Sequence, residues 1–267
     1  MYRLNRRQLL SRARLLAAMH APLLLPRASA APDLPDVPPV RFNHLTLMTQ
    51  PLEAMRRFYG ETLGFPILRQ QKDSFTLVAG DSSIEFRRAA TDSKPFYHFA
   101  FSIAENKIEQ AKTWTEQRTE VLTQSRTDKQ IIHFRNWNAH ALYFRDPAGN
   151  IGEFIAHHTL STASTGEFTL EDVLYTSEIG LVVEDVREAT REIEPLLGLE
   201  EARRGSRNFA AVGDARGYFI LVPNERIWLP TDDVQAEPHP VHARFASRRT
   251  ATTTLKAGPF DLNSVRG

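Results

Sequence analysis

Phe42-Asn43-His44-Leu45-Thr46-Leu47 and Phe96-Tyr97-His98-Phe99-Ala100-Phe101 are two copies of one strand pattern, and this repeated pattern decides the fold. From each histidine onwards, the histidine shares one face of the strand with a small or polar side chain, Thr46 or Ala100, while Leu45 and Leu47, or Phe99 and Phe101, lie on the other face. The pattern predicts a strand with one buried face and one face that opens to a cavity. A helix and three further strands are predicted after each copy, so the chain contains a repeated βαβββ module.

Three side chains of metal-ligand type stand at matching places in these modules. They are His44, His98 and Glu153, which follows the turn Asp146-Pro147-Ala148-Gly149-Asn150. Two neutral imidazoles and one carboxylate can hold a divalent metal on one face and leave its other positions open to a substrate. The alternative is that both histidines are hydrogen-bonded core residues and that Glu153 pairs with an arginine.

Two further glutamates occupy equivalent places. Glu85 corresponds to Glu153, which makes it a candidate fourth ligand, or else a solvated residue beside Arg87. Glu178 stands at the histidine place of a third module. The last strand of that module, at 218–221, has no carboxylate or imidazole. The third module is therefore predicted to be a structural or dimer-forming unit rather than a metal site.

The modules give the chain a simple predicted organisation. The helix of the first module is predicted to start at Pro51, because a proline suits the first helical turn. The helix of the third module is predicted over 186–197. The predicted segments are a domain at 42–158 with modules at 42–90 and 96–158, a connector at 159–172, a third module at 173–230 and a mostly irregular tail at 231–267.

The expected fold class follows from the length of the modules. A single module cannot bury a sheet face alone, whereas two paired modules can. We therefore expect an α+β fold in which paired βαβββ modules form a curved mixed sheet around a metal-binding cavity. A third βαβββ module is added to this pair.

Two further motifs connect the chain to a known family. They are Phe58-Tyr59 before Leu63-Gly64-Phe65, and Tyr143-Phe144-Arg145 before the turn at 146–150. With these residues the chain resembles the vicinal-oxygen-chelate superfamily, which includes glyoxalase I, type I extradiol dioxygenases, fosfomycin-resistance enzymes and bleomycin-resistance proteins. The resemblance is good over 42–158 and weaker over 175–223.

The resemblance implies a metalloenzyme that acts on a small substrate with two adjacent oxygens. The first expectation is an Fe(II) extradiol ring-cleaving dioxygenase acting on a catechol-like molecule, with Mn(II), Ni(II) and Zn(II) as alternative metals. The second is a glyoxalase I-like lyase or isomerase with Glu85 as fourth ligand or proton-transfer base. The third is a small-molecule binding or resistance protein without turnover.

Three side chains are candidates for catalysis. By resemblance to the extradiol dioxygenases, Tyr143 is expected to contact the substrate hydroxyl; the alternative is a buried tyrosine with a satisfied hydroxyl. His133 and His140 are predicted near the cavity, where an imidazole that titrates near neutral pH suits a proton shuttle. His133 falls about one residue away from the family's histidine, and the alternative for both histidines is a surface position.

The first 30 residues differ from the rest of the chain. They carry six arginines and no acidic residue, and Arg6-Arg7 is followed by a short apolar stretch and by Ala28-Ser29-Ala30. This pattern predicts a cleaved export signal that resembles a twin-arginine signal, with a linker at 31–41. The expected location is periplasmic or secreted. The alternatives are an organelle transit peptide and a disordered tail.

Composition narrows the classes of partner. Without residues 1–30 the chain is acidic and has no basic face, so no nucleic-acid partner is expected. The N-terminal apolar stretch is too short to span a bilayer stably. The absence of cysteine excludes disulfides, zinc ribbons and thiol catalysis. The expected partner is a small-molecule substrate, and a homodimer remains an open alternative.

Overall fold

Two curved seven-stranded sheets dominate the computed structural model, which describes residues 40–198, 205–255 and 258–266. These residues belong to one unit. The predicted export signal at 1–30, and all but the last two residues of the predicted linker at 31–41, lie outside the described residues. In the described part of the chain no helix is long and apolar enough to cross a lipid bilayer.

The strands and helices are numbered in chain order. The strands are β1 (Arg41–Thr49), β2 (Ile67–Gln70), β3 (Ser74–Ala79), β4 (Ser82–Arg88), β5 (His98–Ile103), β6 (Ile132–Phe134), β7 (Ala139–Arg145), β8 (Ile151–His157), β9 (Val173–Val183), β10 (Ala210–Asp214), β11 (Gly217–Pro223), β12 (Val241–Ser247), β13 (Ala251–Leu255) and β14 (Phe260–Arg266). The helices are α1 (Leu52–Arg57), which a π-helical turn at Phe58–Thr62 extends, α2 (Ile108–Glu116) and α3 (Val186–Leu197).

The order of the strands pairs the modules in an unexpected way. The first sheet has the order β13-β14-β12-β1-β4-β3-β2, and the second has the order β10-β11-β9-β5-β8-β7-β6. In the first sheet β1 pairs antiparallel with β12, and in the second β5 pairs antiparallel with β9. The first module therefore shares a sheet with the C-terminal strands, and the second module shares a sheet with the third.

The core lies against the apolar face of each sheet. Leu45 and Leu47 of β1 belong to the same buried cluster as Phe99 and Phe101 of β5, and this cluster also includes residues of all three helices. Because neighbouring strand residues point to opposite faces, His98 and Ala100 lie on the other face of the second sheet. That face carries a second, smaller apolar cluster.

The predicted fold class is confirmed: the chain is α+β and consists of paired modules with curved sheets. The predicted third helix also coincides with α3. The side chain of Asp185 caps its start by accepting hydrogen bonds from the backbone N–H groups of Arg187 and Glu188. Gly198 ends it in the left-handed conformation, with φ of 67°.

The expectation of a mostly irregular tail at 231–267 was wrong, because three strands of the first sheet lie within 241–266. The sequence pattern that indicates these strands is a strict alternation of buried and less buried side chains with period two. In β12 every second side chain, beginning with Val241, is buried, and β14 shows the same alternation over 260–264. The charged and polar residues between them belong to the exposed face of a half-buried strand and do not indicate irregular structure.

The expected pairing of modules 42–90 and 96–158 around one cavity was also wrong. Each module presents the edge of its first strand for antiparallel pairing, and the other two modules and the C-terminal strand β12 offer an equivalent edge. The local sequence of β1 does not specify which edge it meets. The partner, β12, is distant in sequence, and it is selected by the burial of its apolar face together with that of β1.

Candidate metal centre

His98 is the first member of a buried group on the inner face of the second sheet. Its Nδ1 atom lies 3.2 Å from the carbonyl oxygen of Ile151, and its side chain is almost fully buried. A carbonyl oxygen only accepts hydrogen bonds, so Nδ1 carries the proton and Nε2 carries the lone pair. This arrangement fixes the tautomer that can ligate a metal through Nε2.

Glu153 is the second member. In the parallel pairing of β5 with β8, Glu153 lies opposite Ala100, and its Oε2 atom is 3.4 Å from Nε2 of His98. Tyr143 lies opposite Glu153 on β7, and its hydroxyl donates a hydrogen bond to the carboxylate. Burial, followed by the charge of Glu178, raises the pKa of Glu153, and the hydrogen bond from Tyr143 opposes this rise.

Glu178 of β9 is the third member. Glu178 pairs with Ala100 across the edge of β5 that faces β9, whereas Glu153 pairs with Ala100 across the edge that faces β8. The Oε2 atom of Glu178 is 3.7 Å from Nε2 of His98. Its Oε1 atom is buried and has no hydrogen-bond partner among the described residues. Uncompensated carboxylate oxygens are costly to bury. A cation between the two carboxylates would remove that cost.

These three residues fit a divalent metal. One ligand atom from each of His98, Glu153 and Glu178 lies within 4.8 Å of the others, and all three side chains are buried. One imidazole and two carboxylates form an oxygen-rich ligand set, which suits Fe(II) and Mn(II) better than softer ions.

An apolar residue occupies the fourth equivalent position. Glu153 pairs with Ala100, two residues after His98 on the neighbouring parallel strand. By the same relation, Ile220 of β11 pairs with Gly180, two residues after Glu178. Ile220 cannot ligate a metal, so among the described residues the group offers three potential ligands and no fourth one from this position.

The group lies in a cavity of about 560 Å³. The cavity is lined by His98, His133, Phe134, Arg135, Asn136, Trp137, Tyr143, Glu153, Glu178, Phe209, Ile220, Val222, Arg226, Trp228 and Leu229. A small molecule therefore has room beside the three potential ligands, and the walls include the aromatic rings of Phe134, Trp137, Tyr143, Phe209 and Trp228.

The turn before β8 holds Glu153 in register. Oδ1 of Asp146 accepts hydrogen bonds from the backbone N–H groups of Ala148 and Asn150, and Oδ2 accepts one from the Tyr59 hydroxyl at 2.8 Å. The side chain of Asn150 in turn accepts a hydrogen bond from the backbone N–H of Tyr97, one residue before β5. The turn thus connects the strand of Glu153 to the strand of His98.

A family model matches the part of the chain that carries His98 and Glu153. The model of the Glyoxalase/Bleomycin resistance protein/Dioxygenase superfamily matches residues 41–154. This part of the chain belongs to that superfamily. Members of the superfamily typically bind a divalent metal, which agrees with the group of His98, Glu153 and Glu178. No functionally curated protein matches the chain significantly.

Solved structures of the superfamily share the fold over most of the chain. Glyoxalase I from Zea mays is 14% identical, with a TM-score of 0.52, and the alignment covers 85% of this chain and 92% of the maize protein. A protein of Bacillus subtilis described as a "putative dioxygenase" is 16% identical, with a TM-score of 0.52, and 84% of each chain is covered. At these identities the likeness shows the fold alone.

His44 does not join the group of His98 and Glu153, because β1 belongs to the other sheet of the superfamily fold. Its Nδ1 atom is 2.8 Å from Oγ of Ser83, and its Nε2 atom is 3.8 Å from Oε2 of Glu85. Burial lowers the pKa of His44, and the attraction of Glu85 offsets this effect only in part. The sequence predicted that His44 and His98 share one metal site, whereas the structure places them in different sheets.

Glu85, the predicted fourth ligand, lies beside His44 and is separated from the buried group. Both Nε and Nη2 of Arg87 contact its Oε2 atom, at 2.9 and 2.8 Å. Although burial alone would raise the pKa of Glu85, the hydrogen bond and charge of Arg87 lower it. Oε2 of Glu85 is thus already paired with a guanidinium.

His133 and His140 contact each other. Their rings are stacked with centroids 4.2 Å apart, and Nδ1 of His140 lies 2.7 Å from Nε2 of His158. His133 lines the cavity, whereas His140 does not. Burial lowers the pKa of His140, with smaller contributions from His133 and His158. Tyr143, the third predicted catalytic residue, lies in the cavity wall and contacts Glu153.

Glu178 is the residue that the sequence prediction left out of the metal site. Its equivalence to His44 was visible in the repeat, but the third module was expected to be structural. The missing information was that β9 pairs with β5. One signal could have suggested this pairing: β5 and β9 are both buried strands, and each carries a potential metal ligand on the inner face.

Proposed function

We propose that this protein is a divalent-metal-dependent enzyme that binds two adjacent oxygens of a small substrate. An Fe(II) extradiol ring-cleaving dioxygenase is the activity that the site supports best. One observation carries the proposal: three buried ligands face a cavity in which the fourth equivalent position is the apolar Ile220. A site with three protein ligands leaves room for two substrate oxygens and a further small ligand.

The chain's own residues hold and orient the reactants. The hydrogen bond between His98 and the carbonyl of Ile151 keeps Nε2 directed at the two carboxylates. Tyr143 keeps Glu153 in position through its hydroxyl. A bound divalent ion supplies Lewis-acid polarisation, which lowers the pKa of the substrate hydroxyls.

The walls of the cavity suit an aromatic diol. Trp137 and Trp228 line the cavity, and the ring of Trp228 packs on the ring of His98 with centroids 5.1 Å apart. These rings offer a planar aromatic ligand a stacking surface beside the potential metal ligands. His133, also in the wall, is the imidazole that is available to carry a proton to solvent. In ring cleavage both atoms of O₂ enter the product, and the substrate itself supplies the electrons.

A glyoxalase I-like isomerase or lyase is the second candidate. It requires another carboxylate beside the histidine and glutamate, a role that the sequence assigned to Glu85. Glu178 supplies such a carboxylate, since its Oε2 atom lies 3.7 Å from Nε2 of His98. This reaction consumes no oxygen, which separates it from the first candidate.

Metal analysis tests the site itself. The protein is purified without oxygen, and its metal content is measured for wild type, His98→Ala and the matched control His44→Ala. We expect stoichiometric metal, preferentially iron, in wild type and in His44→Ala, and loss of metal in His98→Ala. No metal in wild type, or loss only in His44→Ala, would contradict both enzyme proposals.

Oxygen uptake then separates the reactions. The iron-loaded protein is mixed with a panel of catechols in an oxygen electrode, and ring-opened products are followed by their absorbance. Uptake equal to product supports the dioxygenase. Turnover of a hemithioacetal without uptake supports the isomerase, and metal binding without turnover on either panel supports a binding protein.

Export is proposed from the sequence pattern alone. Arg6-Arg7 and Ala28-Ser29-Ala30 support a cleaved twin-arginine-like signal and a periplasmic or secreted location. N-terminal sequencing of the protein from its native host tests this. A start near Ala31 is the expected result, and a start at Met1 would contradict cleavage.

A further inference from the structure

Two arginines line the same cavity as the buried carboxylates. They are Arg135, in the segment between β6 and β7, and Arg226, after β11. Among the described residues neither guanidinium has a carboxylate within ion-pair distance. The cavity therefore carries negative groups at the ligands and unpaired positive groups elsewhere on its wall.

Arg226 is held in place but its charge is not neutralised. Its guanidinium lies over the ring of Phe209, 4.9 Å from the centroid, and Nη1 donates a hydrogen bond to the carbonyl oxygen of Asn208. Burial lowers the pKa of Arg226. A half-buried guanidinium that is fixed by an aromatic ring and a carbonyl loses little entropy when it binds an anion.

The aromatic walls between these two ends favour a flat ligand. Trp137 lines the cavity and is itself stacked on Tyr218, with ring centroids 5.0 Å apart and an angle of 30° between the planes. Trp137 also contacts Phe209, the ring beneath Arg226, at a centroid distance of 6.4 Å. The aromatic surface thus leads along the wall to the guanidinium of Arg226. A planar ring could stack on this surface.

We propose that the cavity selects an aromatic carboxylate, whose carboxylate is bound by Arg226 with the assistance of Arg135. This inference rests on the proposed function for the opposite end of the substrate, where two adjacent oxygens meet His98, Glu153 and Glu178. A planar, forked guanidinium suits a carboxylate because it can donate two parallel hydrogen bonds. The substrate class is therefore an aromatic diol that carries a carboxylate on its ring or side chain.

Binding of benzoate and benzamide tests the charge preference without turnover. The two molecules have the same size, and quenching of tryptophan fluorescence can report on both because Trp137 and Trp228 line the cavity. We expect wild type to bind benzoate at least about tenfold more tightly than benzamide, and Arg226→Met to lose most of this preference. Arg244→Met, on the other sheet, is the matched control and should retain it.

Further measurements keep the test decisive. Arg226→Lys retains the charge and should keep part of the preference, and added NaCl should weaken benzoate binding more than benzamide binding to wild type. Equal affinities in wild type, or an unchanged preference in the double variant Arg135→Met/Arg226→Met, would overturn the proposal. Metal content is measured on the same samples, so a protein that prefers benzoate but holds no metal would refute the proposed function alone.

Discussion

Glu178 and His98 come from different modules, and Oε2 of Glu178 lies 3.7 Å from Nε2 of His98. The antiparallel pairing of β5 with β9 creates this contact, because it sets Glu178 opposite Ala100 on the inner face of the sheet. The candidate metal centre therefore belongs to the sheet formed by the second and third modules. The first module, in which His44 and Glu85 lie, contributes no ligand to it.

Glu178→Gln should weaken metal binding and stabilise the metal-free protein. In the absence of metal the buried carboxylates of Glu153 and Glu178 repel each other, and a neutral amide removes this repulsion. We expect the melting temperature of the chelator-treated protein to rise, and metal affinity to fall at least about tenfold. Glu85→Gln, whose carboxylate contacts Arg87, is the control and should leave metal affinity unchanged. A lower melting temperature for metal-free Glu178→Gln would contradict the repulsion.

Ile220→Glu should close the metal centre. Residue 220 pairs with Gly180, which comes two residues after Glu178. In the same way, Glu153 pairs with Ala100, which comes two residues after His98. A carboxylate at this position is expected to raise metal affinity and to lower turnover, because it competes with the substrate oxygens. Ile220→Gln, of similar size but without charge, is the control. Titration calorimetry with Mn(II) and steady-state kinetics check the two effects, and unchanged metal affinity in Ile220→Glu would refute the assignment.

Gly180→Ala should disturb the wall beside His98. A Cβ atom at residue 180 would lie 2.7 Å from Cη2 of Trp228, whose ring packs on His98. We expect the free energy of unfolding to fall by about 1–3 kcal/mol, as for other overpacked sites. Trp228→Phe removes the colliding part of the ring, so the double variant should recover part of the loss. Additive losses in urea denaturation would show that the collision is not the cause.

Asp146 should make stability depend on pH in a defined direction. Burial raises the pKa of Asp146 from 3.8 to about 6, against the hydrogen bonds from Asn150, Tyr59 and Ala148. The folded state thus holds the proton more tightly than the unfolded state. The contribution of this group to the free energy of unfolding is fully present below about pH 4, and it is lost as the pH rises through about 6.

Asp146→Asn removes the titrating carboxyl group, so a comparison with wild type gives the size of its pH-dependent contribution to the free energy of unfolding. The free energy of unfolding of wild type minus that of Asp146→Asn should fall by about 2.4 kcal/mol between pH 4 and pH 7. Urea denaturation of both proteins at intervals of pH measures the difference. A difference that is constant, or that grows with pH, would mean that the hydrogen bonds to Asp146 outweigh its burial.

The sequence by itself determined the local elements and the face that each ligand occupies. Period-two alternation in Phe96–Phe101 specified the strand and turned His98 away from the core, and Asp146 with Asn150 specified the turn that precedes Glu153. The same alternation was present in β12 and β14, where charged residues on the exposed face obscured it. These features depend on neighbouring residues and are therefore visible without the fold.

Only the tertiary structure decided which modules share a sheet, and hence which ligands meet. His44 and Glu178 stand at equivalent places in their modules, yet only Glu178 reaches His98, because β9 rather than β1 pairs with β5. The edges of these strands offer the same backbone groups, so local sequence does not distinguish them. The choice depends on which combination of apolar faces is buried together, and that is a property of the whole chain.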